Sequence, residues 1–237
     1  MKSVLSLVFV VTTAVAGFAG AARAAPTPYG PTPYLSAADS PFNAIGFGYF
    51  YRETFEDHLL NTPGVSANAG GVTSVVFGPA VHDSVDADDG VIDGSGLLGD
   101  SYFLADGSSG VKFSFNAGVL GALPTHAGIV WTDGAGAITF KVFGANGLES
   151  YSATYNGIPD GSFAGGTAED RFFGAFDASG ISAIFISNSA GGMEVDHLQY
   201  GAASAAPPVA AIPEPQTYAL MLAGLLVCAW RIKRRQP

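Results

Sequence analysis

A run of acidic residues between positions 83 and 93 has the residue types and spacing best suited to chemistry in this sequence. Its five carboxylates are Asp83, Asp86, Asp88, Asp89 and Asp93. Carboxylates this close together repel one another unless water solvates them or a hard cation bridges them. Calcium takes about six to eight oxygen ligands and tolerates irregular loops. The run therefore predicts either a solvated acidic loop or a calcium site with ligands from Asp86, Asp88 and Asp93.

A second set of acids is split between the two ends of the domain. Glu56 and Asp57 lie early in the chain, and Asp196 lies in the last predicted strand. Successive strand residues face opposite sides, so Glu194, Asp196 and Leu198 are expected to share one face. Two interpretations remain open: a strand-supported calcium site formed with Glu56 and Asp57, or edge charges that prevent aggregation.

Residues typical of nucleophilic or zinc-dependent catalysis are not arranged for either chemistry. No two of the histidines lie within four positions of each other, so a His-x-x-x-His zinc signature is absent; they are His58, His82, His126 and His197. The single cysteine, Cys228, lies in the apolar C-terminal segment, and no Gly-x-Ser-x-Gly elbow occurs. We therefore expect a non-enzymatic protein. A glycan-active hydrolase that uses two carboxylates stays open as an alternative.

The charge balance of the body limits its partners. Residues 25–213 contain four basic and nineteen acidic residues, a net charge of −15. Such a charge disfavours nucleic acid and anionic lipid and is compatible with divalent cations and neutral polysaccharide. Because the only cysteine lies outside this body, no internal disulfide can stabilise it.

Short runs of aromatic and β-branched residues, separated by glycine-rich turns, favour an all-β fold. Val111, Phe113 and Phe115 alternate with polar residues, as in a half-buried strand. Ile181 to Ile186 is apolar on both faces and is placed centrally in a sheet. We predict an antiparallel two-sheet sandwich of the jelly-roll or lectin-like kind, with about ten strands.

The N-terminus has the three parts of a signal peptide. Lys2 is followed by an apolar core from Val4 to Ala16 and by the small-x-small site Ala22-Arg23-Ala24. Residues 1–24 are thus a predicted signal helix that the secretion machinery removes, with an uncleaved anchor as the alternative. The predicted order continues with a Pro-rich leader (25–44), the β-sandwich domain (45–201) and an Ala/Pro linker (202–212).

The C-terminus, residues 213–237, combines a short motif, an apolar run and a basic end. Pro213, Glu214 and Pro215 precede fourteen uncharged residues, Thr217 to Trp230. These span about 21 Å as a helix, whereas a bilayer-spanning helix needs about 20 residues. The predicted transmembrane helix, about 217–232, is a marginal anchor, and the basic end at 231–235 predicts a cytoplasmic C-terminus. A plain anchor that is never processed remains the alternative.

This tail resembles the PEP-CTERM sorting signal of bacterial exported proteins. The resemblance implies recognition of Pro213, Glu214 and Pro215 by an exosortase-type processing enzyme, after transient anchoring in the cytoplasmic membrane with the body outside. It further implies a surface or extracellular-matrix protein associated with exopolysaccharide. Such tails also occur on ice-binding proteins, but this body lacks regular Thr-x-Thr ladders.

The body resembles lectin-like and carbohydrate-binding-module sandwiches in the order of several short motifs. These are Phe55-Glu56-Asp57, the acidic stretch 83–96, Trp131-Thr132-Asp133-Gly134, the segment 167–174 and Glu194-Val195-Asp196-His197-Leu198. In such modules a structural calcium often lies between an early acidic segment and the last strand, which implies Glu56, Asp57 and Asp196 here. A glycan-binding module is the alternative function. Trp131, Tyr102 and Tyr151 are candidates for stacking on sugar rings, although aromatic residues of a sandwich mostly belong to its core.

Overall fold

The computed structural model describes residues 24–74, 83–158 and 165–204. Most of the predicted signal peptide, the Pro213-Glu214-Pro215 motif, the predicted helix at about 217–232 and the basic end lie outside these residues. Within the described ranges, no helix is long and apolar enough to cross a membrane.

Strands dominate the described residues, which confirms the all-β prediction. All ten belong to one antiparallel hydrogen-bonded sheet. They are β1 (Thr27–Pro33), β2 (Phe47–Glu53), β3 (Val65–Ala67), β4 (Gly71–Val72), β5 (Tyr102–Leu104), β6 (Val111–Phe115), β7 (His126–Gly144), β8 (Glu149–Tyr155), β9 (Arg171–Phe176) and β10 (Ile181–Ala203). Helical elements in the described ranges include only short ones: α1 (Ala117–Leu120) and 3-10 turns at Ala37–Asp39, Asp86–Asp89 and Thr167–Glu169.

The hydrophobic pattern explains which strands lie in the middle of the sheet. In β6, Val111, Phe113 and Phe115 are buried and alternate with half-buried polar residues, as the sequence predicts. The first half of β10 pairs with β6 on one side and with β7 on the other, so the run Ile181 to Ile186 is central as expected. This run is therefore hydrogen-bonded to a neighbouring strand along both edges, and it is largely buried on both faces.

The sequence predicts four separate strands at 128–131, 137–143, 181–187 and 193–200, with a turn at 133–136. The structure instead has one long strand, β7, in place of the first two and one long strand, β10, in place of the last two. The glycine-rich stretch 133–136 is not a turn between strands but an irregular part of β7, opposite register shifts in β10. Gly136 has φ +83°, a conformation that glycine adopts without steric cost. Before this point β7 pairs with β9, and after it with β8. Ile129 and Phe140, from the two halves of β7, nevertheless enter one hydrophobic core.

Part of the predicted leader belongs to the sheet. β1 lies within residues 25–44 and pairs antiparallel with β9 along the edge. Tyr34 and Phe42, which follow it, are buried in a second hydrophobic cluster with Phe172 of β9. At the other end, β10 continues to Ala203, two residues into the range assigned to the linker (202–212). Proline has no backbone N–H, and it is compatible with an edge strand because one side of such a strand makes no ladder hydrogen bonds.

The core can be tested with two phenylalanines on neighbouring strands. Phe113 is fully buried and packs against Tyr102, with ring centroids 5.4 Å apart, whereas Phe185 is only partly buried. We expect Phe113→Ala to lower the free energy of unfolding by about 3–5 kcal/mol, because it leaves a cavity. The matched Phe185→Ala change should cost about 1 kcal/mol. Urea denaturation of both variants measures this, and equal losses would contradict the described packing.

Candidate functional site

Carboxylates of β10 bind the backbone of the segment that opens the acidic run. The Asp83 N–H donates to Glu194 Oε2 at 2.7 Å, and the Val85 N–H donates to Asp196 Oδ2 at 3.0 Å. Val195, between the two acids, points into the core. Glu194 and Asp196 therefore share the opposite face of β10, as the strand periodicity predicts. Their carboxylates hold residues 83–85 against the sheet.

A bulge ends this alternation immediately after Asp196. The register between β10 and β7 shifts between Asp196 and Gln199, and His197 has φ +43°. Leu198 is consequently buried in the same core as Val195, so the prediction that Leu198 shares a face with Asp196 is wrong. Strand periodicity alone could not anticipate an inserted residue. The bulge directs the imidazole of His197 toward the acidic loop.

The first acidic group consists of Asp88, Asp196 and His197, whose potential ligand atoms lie within 4.8 Å of one another. His197 Nε2 is 2.9 Å from Asp88 Oδ1, and its Nδ1 is 2.9 Å from the hydroxyl of Tyr34. Burial, followed by the charge of Asp88, raises the pKa of Asp196 well above its usual range. Most polar atoms of this group already have hydrogen-bond partners within the protein. These hydrogen bonds connect the acidic loop to β10.

The second acidic group consists of Asp83, Asp133 and Glu169, which also place potential ligand atoms within 4.8 Å of one another. The three come from distant parts of the chain: the acidic run, β7 and the 3-10 turn Thr167–Glu169. Burial raises the pKa of Asp83 to about 9, assisted by the charges of Glu194, Asp133 and Glu169. At neutral pH these acids therefore repel one another unless a proton or a cation intervenes.

Asp170 lies beside this second group and is fully buried. Neither of its carboxylate oxygens has a hydrogen-bond partner. Burial raises its pKa to about 10, helped by the charges of Asp83, Glu169 and Asp86 and opposed by Arg171. The guanidinium of Arg171 instead donates to two backbone carbonyls, those of Ala168 at 3.0 Å and Asp170 at 2.8 Å. The segment Glu169-Asp170-Arg171 predicts an ion pair that anchors this loop, whereas Arg171 holds the loop through carbonyls of the main chain.

The structure brings together some of the predicted calcium ligands and separates others. Asp88 and Asp196 meet, although the sequence assigned them to different candidate sites. Glu56 lies near Asp88, and burial together with the charges of Asp88 and Asp100 raises its pKa to about 7, against a hydrogen bond from the Asp100 N–H. Asp57 is exposed and accepts from Leu59 and Asn61, away from both acidic groups.

The remaining two predicted ligands stabilise the acidic loop itself. Asp86 is buried and accepts from the Asp93 N–H, the Gly94 N–H and the Thr167 hydroxyl. Asp93 is exposed and caps its own turn by accepting from the Ser95 N–H at 3.2 Å. Both carboxylates therefore have a conformational role in the loop, and Asp86 also links it to the 3-10 turn at 167–169.

Sequence reasoning missed a contact between a serine, a histidine and an aspartate. Ser74 Oγ lies 3.0 Å from His58 Nδ1 and donates to Asp100 Oδ2 at 2.9 Å, and His58 Nδ1 also contacts Asp100 Oδ2. In a hydrolytic triad the two imidazole nitrogens contact different partners, one the acid and the other the nucleophile. Here one nitrogen contacts both, so the arrangement does not match that mechanism. No spacing pattern could have revealed it, because the three residues are distant in sequence.

The proposed sugar-stacking aromatics are mostly in the interior. Trp131 and Tyr102 are buried in the main core, and Tyr151 is partly buried with its hydroxyl 3.1 Å from that of Tyr155. A platform for a sugar ring needs an exposed aromatic face. This burial removes two of the three candidates from that role.

Comparisons with known proteins add little to this geometry. No protein-family model and no curated protein sequence matches the chain. A solved structure of an arabinose-bound α-L-arabinofuranosidase matches at 14% identity and a TM-score of 0.24, covering 64% of this chain and 27% of that one. The present chain therefore spans about a quarter of that protein, and a likeness this distant carries no argument about fold or activity.

The raised carboxyl pKa values predict an unusual pH dependence in the presence of a chelator. Asp83 and Asp170 have folded pKa values of about 9 and 10, far above those of unfolded aspartate. Between about pH 4 and these folded pKa values, the folded state therefore binds more protons than the unfolded state. The free energy of unfolding falls as pH rises through this interval. Burial lowers the pKa of His126, so its opposite contribution is confined to pH below about 6.5.

We expect the urea midpoint in chelator to fall between pH 7 and pH 9. Asp83→Asn should reduce this slope, because asparagine does not ionise. Asp93→Asn is the matched control, since Asp93 is exposed and its turn can be capped equally by an amide oxygen. A midpoint that is constant or rises over this interval would contradict the electrostatics of the group.

Proposed function

We propose that this chain is an exported, non-enzymatic surface or extracellular-matrix protein that is processed at a PEP-CTERM sorting tail. The β domain would be presented outside the cytoplasmic membrane and associated with exopolysaccharide. Recognition of Pro213, Glu214 and Pro215 by an exosortase-type enzyme would precede release from the membrane.

The placement of the sheet relative to the two processing points is the observation that carries this proposal. The first strand begins at Thr27, three residues after the predicted signal cleavage at Ala24, and the last strand ends at Ala203, ten residues before Pro213. Both predicted cleavages therefore fall outside the sheet. A protease could act at either point without opening a strand, as processing at both ends of a folded domain requires.

The arrangement of polar side chains supports a structural role for the body. The acids of β10 hold loops in place, and the Ser74, His58 and Asp100 contact does not have the geometry of a hydrolytic triad. Residues from both halves of β7 and of β10 enter one core, which supports the finer proposal of a two-sheet sandwich. A glycan-binding module remains the alternative, and selective binding on a glycan array would favour it.

Replacing both prolines of the motif tests the sorting proposal. In cells that contain an exosortase, we expect the native protein to lose the segment with Cys228 and Pro213→Ala/Pro215→Ala to retain it in the membrane fraction. The change removes the motif without altering the charge or the length of the apolar run. Fractionation followed by intact-mass analysis measures the outcome.

A matched control replaces two other prolines near the tail. Pro207→Ala/Pro208→Ala makes the same chemical change a few residues upstream and should be processed like the native chain. Native protein that keeps Cys228, or motif variants that are processed normally, would refute the sorting proposal.

A further inference from the structure

The second acidic group has the composition of a site for a hard divalent cation. Asp83, Asp133 and Glu169 offer only oxygen atoms, which suit calcium, magnesium or manganese better than softer metals. Two oxygens bound to one calcium at about 2.4 Å can lie at most about 4.8 Å apart. The potential ligand atoms of these three residues all lie within 4.8 Å of one another. The spacing therefore allows one ion to contact all three.

Asp170 gives independent evidence for a ligand at this place. It is fully buried, and both of its oxygens lack hydrogen-bond partners. A buried carboxylate without partners is costly, and native proteins compensate such groups with a hydrogen bond, a proton or a cation. The neighbouring guanidinium of Arg171 donates to main-chain carbonyls instead. A cation at the adjacent group would neutralise Asp170 together with the other three acids.

The first acidic group does not need a cation in the same way. His197 lies between Asp88 and Tyr34 and contacts both. The oxygens of Asp196 accept the Val85 and His197 N–H groups. The imidazole of His197 and two backbone N–H groups thus already contact three carboxylate oxygens of this group. One carboxylate oxygen of this first group, Asp88 Oδ2, lacks a hydrogen-bond partner, whereas both oxygens of the buried Asp170 lack one.

We propose that Asp83, Asp133 and Glu169, with Asp170 beside them, bind a structural calcium ion that joins the acidic run, β7 and the turn at 167–169. Calcium fits better than magnesium because it accepts irregular geometry and a larger number of oxygens. The site does not depend on how the chain is sorted, so its failure would leave the proposed function standing. An exported domain would nevertheless meet calcium at concentrations suited to such sites, whose dissociation constants are about 10⁻⁴–10⁻³ M.

The test is a calcium titration of the full chain in detergent, by calorimetry and by melting temperature in calcium and in chelator at matched ionic strength. We expect saturable binding below about 10 mM calcium and a rise in melting temperature of at least about 3 °C. No heat and no shift in the native chain would overturn the proposal, whatever the variants do.

Variants distinguish a calcium ligand from a residue that merely supports the fold. Asp83→Asn and Asp170→Asn should each weaken calcium binding at least tenfold and melt at a higher temperature than the native chain in chelator, because repulsion is removed. A purely structural role would instead lower the melting temperature in chelator, and that result would overturn the proposal.

Two further variants locate the ion. Asp93→Asn, the matched change at an exposed acid of the same run, should bind calcium like the native chain. Asp196→Asn removes a carboxylate of the first acidic group. If calcium binding survives in Asp83→Asn and Asp170→Asn but disappears in Asp196→Asn, the ion belongs to the first group and the proposed site is wrong.

Discussion

The fold must keep many carboxylates away from water with very few basic side chains to neutralise them. Asp83, Asp86, Asp170 and Asp196 are all essentially buried, whereas residues 25–213 contain only four basic residues. Burying an ionised carboxylate without compensation costs several kcal/mol. Each carboxylate buried at the acidic face of β10 therefore has to accept backbone N–H groups, bind a proton or lie beside a cation. The geometry of this region follows from that requirement.

The two long central strands make this arrangement possible. β7 and β10 run through the whole domain, and their inner face fills the core while the outer face of β10 collects the acids. The bulge at His197 places an imidazole among them. Side-chain hydrogen bonds join the acidic run to this face, as between the Asp83 N–H and Glu194, and they join the turn at 167–169 to the acidic run through Thr167 and Asp86. We expect a domain held in this way to be sensitive to cations and pH.

Local patterns predicted the sheet better than they predicted the acidic site. Alternation in β6 and the apolar run that begins β10 identified a half-buried and a central strand correctly. The continuity of β7 through residues 133–136 was missed, because glycine-rich stretches are equally typical of turns and of bulges. The sequence marked Asp83 as one member of an acidic run, but its neighbours Asp133 and Glu169 are brought in by topology. Likewise, the meeting of Asp88 and Asp196 depends on where a loop crosses a strand.

Anomalous diffraction from crystals grown with calcium at neutral pH would test the account most directly. Neutralisation of the buried acids by an ion predicts an anomalous peak bounded by Asp83, Asp133 and Glu169, about 2.3–2.6 Å from their oxygens. Well-ordered carboxylates at this place with no peak among them, in a domain otherwise folded as described, would contradict it.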